Sequence, residues 1–175
     1  MIADVEIAWM SGAQAAEERE SLVALLTDSV DGGASVGFLP PMERGEADRY
    51  WGSVFAAMES AGRRLAGAWV SGELAGAIQV QRAALPNGWH RGEVMKLMVH
   101  SRFRGRGLAR GLMAAMEEEA RRMGLTLLVL DTLQGDVAEG MYRAMGWVEV
   151  GAIPKYARVG SGELCATVVF YKVLE

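Results

Sequence analysis

The stretch from Gly92 to Asp131 constrains this chain more than any other. It reads as a strand over 92–100, a turn built on Gly105-Arg106-Gly107, a helix over 106–123, and a short apolar run, Leu125–Leu130, ending at Asp131. Leu108, Leu112, Met116, Ala120 and Met123 recur at helical spacing and predict one buried stripe. Glu117–Arg121 and Glu118–Arg122 stand i,i+4 and predict ion pairs on the wet face, with Gly124 as the stop. The apolar run has no polar side to offer water, so it predicts an interior strand. A helix with one apolar stripe between two strands must lie on a sheet, which confines the chain to the α/β classes.

The remaining sequence fits that plan. Residues 3–9 alternate like a first strand, and 13–29 carry Ala15, Leu22, Leu25 and Leu26 as a helical stripe. Residues 31–41 read as a loop by their glycines and prolines, and a second helix follows over 46–60. Strands at 64–70 and 73–82 flank Ser71-Gly72, a hairpin signal, and Pro86-Asn87-Gly88 marks another turn. A helix at 135–145 and strands at 147–152 and 163–173 complete the order βααβββαβαββ. That order predicts a mixed sheet with helices on both faces, in a single domain over 1–175. The sequence carries no signal-peptide pattern and no apolar run of roughly 18–20 residues, so a cytoplasmic, soluble protein is expected.

Charge narrows the partners. With 22 acidic and 18 basic residues the net charge is −4, which argues against a nucleic-acid or membrane-surface binder. One cysteine, Cys165, excludes an intramolecular disulfide and a multi-cysteine zinc site. His90 and His100 are the only histidines, and no structural metal is expected. Lysine occurs only at Lys96, Lys155 and Lys172, so the chain is rich in arginine. Arg102, Arg104, Arg106 and Arg110 gather in one short segment of an acidic chain. That cluster suits a small anionic ligand, or equally a solvated helix start. The glycines separate these readings. A helix's first turn offers unpaired N–H groups and partial positive charge, and glycines at 105 and 107 let an anion approach those amides.

Three phosphate-binding patterns compete for this turn. A P-loop needs a Gly-Lys-Ser or Gly-Lys-Thr ending, which is absent. A dinucleotide turn would place its third glycine at 110, where arginine stands, and too little chain follows Asp131 for a doubly wound sheet. Arg104-Gly105-Arg106-Gly107-Leu108-Ala109 instead resembles the Gln/Arg-x-x-Gly-x-Gly/Ala turn of the GCN5-related N-acetyltransferase (GNAT) superfamily. Val137-Ala138-Glu139-Gly140-Met141-Tyr142-Arg143-Ala144-Met145-Gly146-Trp147 is similar to that superfamily's downstream helix with its tyrosine and closing Gly-aromatic pair. Gly32–Phe38, Pro86-Asn87-Gly88, Glu93-Val94, Lys96–Val99, Leu130-Asp131-Thr132 and Val137–Glu139 resemble, more narrowly, its toxin-resistance acetyltransferases. In one departure, Ser101 stands where the superfamily often has proline.

The resemblance implies a mixed, mostly antiparallel central sheet with a coenzyme A cleft splayed between two parallel strands. It implies acetyl-CoA as cosubstrate and no metal. Main-chain groups of Met98 and Val99 are expected to meet the pantetheine, and Arg104, Gly105, Arg106, Gly107, Leu108 and Ala109 the pyrophosphate. Tyr142 is expected to face the thiol as general acid or hydrogen-bond donor. Glu93 and Asp131 are the candidate bases, or two anions that hold a cationic substrate. The implied acceptor is a primary amine on a small molecule, with a protein lysine or N-terminal amine, or acyl-CoA binding without catalysis, as alternatives. Oligomeric state stays open, although dimers are common among similar proteins. Trp89 and His90 could border the acceptor, and the Gly32–Phe38 loop could cover it or pack between the early helices.

Overall fold

The structure, a computed structural model, describes residues 4–60 and 62–175. It opens with β1 (Val5–Trp9), which falls inside the expected 3–9 strand; Ala3 lies outside the described residues. The long first helix divides into α1 (Gly12–Glu17) and α2 (Arg19–Asp31), because Glu18 leaves helical geometry at φ −83° and ψ 6°. Its four predicted apolar positions are all fully buried. After the 32–43 loop come α3 (Arg44–Ser60), β2 (Arg63–Val70) and β3 (Glu73–Arg82). Ser71 and Gly72 both take positive φ, 52° and 81°, as a two-residue hairpin of this hand requires. Next are β4 (Arg91–Val99), α4 (Leu108–Arg122), β5 (Leu127–Leu133), α5 (Val137–Ala144), β6 (Val148–Arg158) and β7 (Leu164–Val173).

Seven strands form one sheet in the order β1-β2-β3-β4-β5-β7-β6. Every pair is antiparallel except β4 with β5. Helices α1, α2 and α3 cover one face over Leu22, Leu26, Trp51 and Met98; α4 covers the other over Leu112, Met116, Ile78 and Leu128. The mixed sheet with helices on both faces is therefore the observed architecture. No helix among the described residues is long and apolar enough to cross a membrane.

Two departures from the sequence reading concern α4 and β5. Glu117 does not pair with Arg121 on a wet face. It is buried, accepting from Trp147 Nε1 at 3.0 Å and Lys172 Nζ at 2.7 Å. Charge alone reads as surface, but a carboxylate given two donors can be buried. The Glu118–Arg122 pair forms as expected. β5 also runs two residues past Asp131, which therefore sits within the strand.

The parallel pair opens the molecule. β4 and β5 are in register only from Arg91–Glu93 against Leu127–Val129. In β4, Ala77 faces Met98 while Gln79 faces Met95, so Lys96 and Leu97 together oppose one residue of β3. Lys96 adopts φ +54° there. Such a bulge bends the strand that carries it. β4 stays with β3 and departs from β5 beyond Glu93, leaving a V-shaped gap in the sheet.

Candidate functional site

That gap is a cleft of about 790 Å³. β4 lines it from Glu93 to Val99, β5 from Leu130 to Leu133, the turn with Arg104, Gly105, Gly107, Leu108, Ala109 and Arg110, and α5 with Met141 and Tyr142. Every site residue expected from sequence lines it except Arg106, whose guanidinium lies 5.3 Å from the Phe103 ring centroid. Trp89 and His90 do not line it, because they precede β4 at the end where the parallel strands are still paired.

At the turn, Gly105 and Gly107 take φ +76° and +79°. A Cβ built on either meets nothing within 4 Å, so the space above the turn is open. Gly107 is the N-cap of α4 and provides no side-chain cap, leaving the first-turn N–H groups to another partner. Not all four arginines serve this opening. Arg102 makes a fork to Glu73 at 2.8 and 3.2 Å, and Arg104 Nε donates to Val99 O at 3.2 Å. Arg110 lines the cleft and was not singled out as a site residue.

Ser101 anchors the turn from below. Its N–H and Oγ donate to Asp28 of α2 at 2.8 and 2.6 Å. Burial alone would raise the Asp28 carboxyl; the Ser101 hydrogen bonds, with His100 and Arg104 nearby, outweigh it and hold the group below its usual range. Proline at 101 has neither donor, so the departure from the family pattern carries its own tie.

The open edge of β4 presents main chain. His100 N donates to Ala75 O at 2.8 Å and Val99 faces Gly76, so the N–H and C=O of Val99 point away from β3. The Met98 carbonyl faces β3, where a Cβ on Gly76 would come within 2.8 Å of it, and the Met98 side chain fills the core.

Titratable groups meet midway. Asp131 Oδ2 accepts from Thr167 Oγ1 at 2.6 Å, which fixes the carboxylate against β7. Glu93 is exposed on the cleft wall and makes no ion pair among the described residues, Arg91 included. Tyr142 is nearly buried against Trp147 and Phe170, with ring centroids 6.1 and 5.7 Å away. Burial, then Asp136 and Asp131, push its phenol up to about 12, so it keeps its proton throughout the neutral range.

The cleft is also lined by Gly32–Gly37, by Tyr156 and Ala157 of β6, and by Ala166 and Thr167 of β7. The glycine-rich loop thus borders the cleft and also packs Val36 and Phe38 on the helical core. Lys96 lies at the junction, its Nζ donating to Val36 O at 2.5 Å and 5.7 Å from the centroids of both Phe38 and Tyr50. Sequence reading gave Lys96 no role; a lone lysine in an apolar strand was the available signal.

The sequence matches the acetyltransferase (GNAT) family over residues 14–147. The chain belongs to that family. Among solved structures it is similar to ribosomal-protein-alanine N-acetyltransferase from Brucella melitensis, at 20% identity and TM-score 0.79, over 97% of this chain and 99% of that one. It is also similar to yncA from Salmonella typhimurium with its cofactor acetyl-CoA, at 16% identity and TM-score 0.80, covering 98% and 95%. An N-acetyltransferase from Staphylococcus aureus Mu50 aligns at 14% identity and TM-score 0.82, over 98% and 99%. At these identities the likeness concerns the fold.

Proposed function

We propose that the chain, acting as one domain in the cytoplasm, transfers the acetyl group of acetyl-CoA to a primary amine on a small molecule. An amino-acid-like toxin or antibiotic fits best. The observation that carries this reading is one cleft holding an uncapped glycine turn at one end and Glu93, Asp131 and Tyr142 at its middle. The segment resemblance to the tabtoxin resistance protein supports the small-molecule acceptor. A homodimer is the proposed assembly.

The cosubstrate supplies an activated thioester. Amides from Gly105 to Ala109, with Arg104, Arg106 and Arg110 near them, hold the pyrophosphate, and the main chain of Val99, with Met98 beside it, aligns the pantetheine along the open edge of β4. An alkyl ammonium has a pKa near 10, so a base must take a proton before nitrogen can attack. Asp131, held by Thr167, and Glu93 accept it directly or through water. As the new C–N bond forms and the C–S bond breaks, the second proton of the attacking nitrogen passes to the departing thiolate, to which Tyr142 donates a hydrogen bond. A phenol near 12 gives its proton only uphill to a thiolate of pKa about 8.5, so hydrogen bonding describes its role better than full transfer.

The test is release of coenzyme A thiol from acetyl-CoA against amines, amino acids, β-lactam-type toxins and peptides, with the N-acetyl product identified by mass. Turnover of free amines supports the reading. Turnover of peptides alone moves the acceptor to protein amines, and coenzyme binding without turnover leaves a binding domain.

A further inference from the structure

Lys96 is a cation on which Asp131 and Glu93 act without forming an ion pair among the described residues. It is partly buried on the cleft wall, and among the described residues its ammonium forms no salt bridge. Among the described residues its one hydrogen-bond partner is the Val36 carbonyl, and the rings of Phe38 and Tyr50 stand beside it. Carbonyl and ring faces favour the charged form, yet two of its three N–H donors have no partner among the described residues. Burying a charge without a partner is unfavourable, and such groups persist where a ligand completes them.

A second side chain without a partner among the described residues also lines the cleft. Ser29, on α2 just before the glycine loop, is 1% exposed, lines the cleft, and its Oγ has no hydrogen-bond partner among the described residues. A neutral donor on α2 and a cationic donor on β4 therefore line the cleft without a counter-group among the described residues. The two carboxylates, Glu93 and Asp131, lie on the strands. Burial and Arg63 lower the Lys96 ammonium, while Asp131 and Glu93, close enough to act on it, oppose that shift.

We infer that the acceptor is a dipolar molecule, carrying a carboxylate beside its amine as an α-amino acid does, and that Lys96 binds the carboxylate while Glu93 and Asp131 face the amine. This rests on the acetyl-transfer reading and names its substrate class. The Val36 contact ties Lys96 to the glycine loop.

The experiment compares amino acids with their decarboxylated amines, such as L-methionine with 3-(methylthio)propylamine and L-lysine with cadaverine, by thiol release. The wild type is expected to favour the carboxylated member at least tenfold in kcat/KM. Lys96→Met should erase that preference through a rise in KM of about tenfold or more, leaving the decarboxylated amine within about threefold. Lys96→Arg should restore part of it, and coenzyme A titration of each variant confirms an intact cleft. Equal losses on both members, or a wild-type preference for the decarboxylated amine, would overturn the inference while acetyl transfer stood. No turnover of any amine by a wild type that binds coenzyme A would overturn the transfer reading and this inference together.

Discussion

At the turn end of the cleft, Arg104, Gly105, Gly107 and the first turn of α4 come from one continuous stretch, and the groups on offer are main-chain N–H donors. Away from the turn, Val36, Lys96, Asp131, Tyr156 and Thr167 arrive from separate elements, and nearly everything offered is a side chain. A site made of backbone must fix its own φ and ψ, and only glycine does so freely at φ +76° and +79°. A site made of side chains needs only that distant strands and loops converge. The first leaves a local signature in sequence; the second leaves scattered residues whose meaning appears on folding.

Variants at each end should therefore fail differently. The largest effect is expected from Glu93→Gln combined with Asp131→Asn. Loss of general-base help should lower kcat/KM by about a thousandfold, most severely at low pH, with coenzyme A affinity unchanged. If each single variant gives a flat response across pH, the carboxylates bind substrate and move no proton.

Gly107→Val should act at the other end. A β-branched residue at φ +79° is strained, and its side chain enters the open space above the turn. Coenzyme A should bind about a hundredfold more weakly by calorimetry, whereas the acceptor KM at saturating acetyl-CoA should hold.

The boundary between the ends is Tyr142. Tyr142→Phe should lower kcat about tenfold and leave the pH–rate profile unaltered between pH 6 and 9, because a phenol at about 12 does not titrate there. The same shift affects stability. A folded-state pKa raised from 10 to about 12 means the native protein retains a proton that the unfolded chain releases, so this stability is intact below pH 10 and lost as pH rises toward 12. Thermal melts of Tyr142→Phe should lose less between pH 10 and 12 than those of the wild type.

Ser101→Pro is the smallest change. Removing both donors to Asp28 should weaken coenzyme A binding by about threefold and cost about 1 kcal/mol of stability. Binding as tight as the wild type's would mean that the tie to α2 does not position the turn.

These two constructions also explain what was legible before folding. The glycine turn, the α4 stripe, the Ser71-Gly72 hairpin and the mixed sheet follow from period, turn chemistry and glycine placement, all local properties. Glu117 was misread because its partners, Trp147 and Lys172, lie far along the chain and no i,i+4 rule anticipates them. Lys96 was passed over because its bulge depends on register with β3, and its neighbours Phe38 and Tyr50 come from the loop and α3. Trp89 and His90 looked close to the site through sequence proximity to Glu93, yet β4 carries them to its paired end.

The central claim, that the uncapped turn of α4 anchors a phosphorylated coenzyme, is tested most directly by calorimetric titration of the wild type with coenzyme A and, separately, with pantetheine. Saturable one-to-one binding of coenzyme A is expected, at least tenfold tighter than pantetheine, which lacks the pyrophosphate and the phosphoadenosine attached to it, with Gly107→Val removing most of that difference. Absence of coenzyme A binding, or equal affinity for the two, would contradict it.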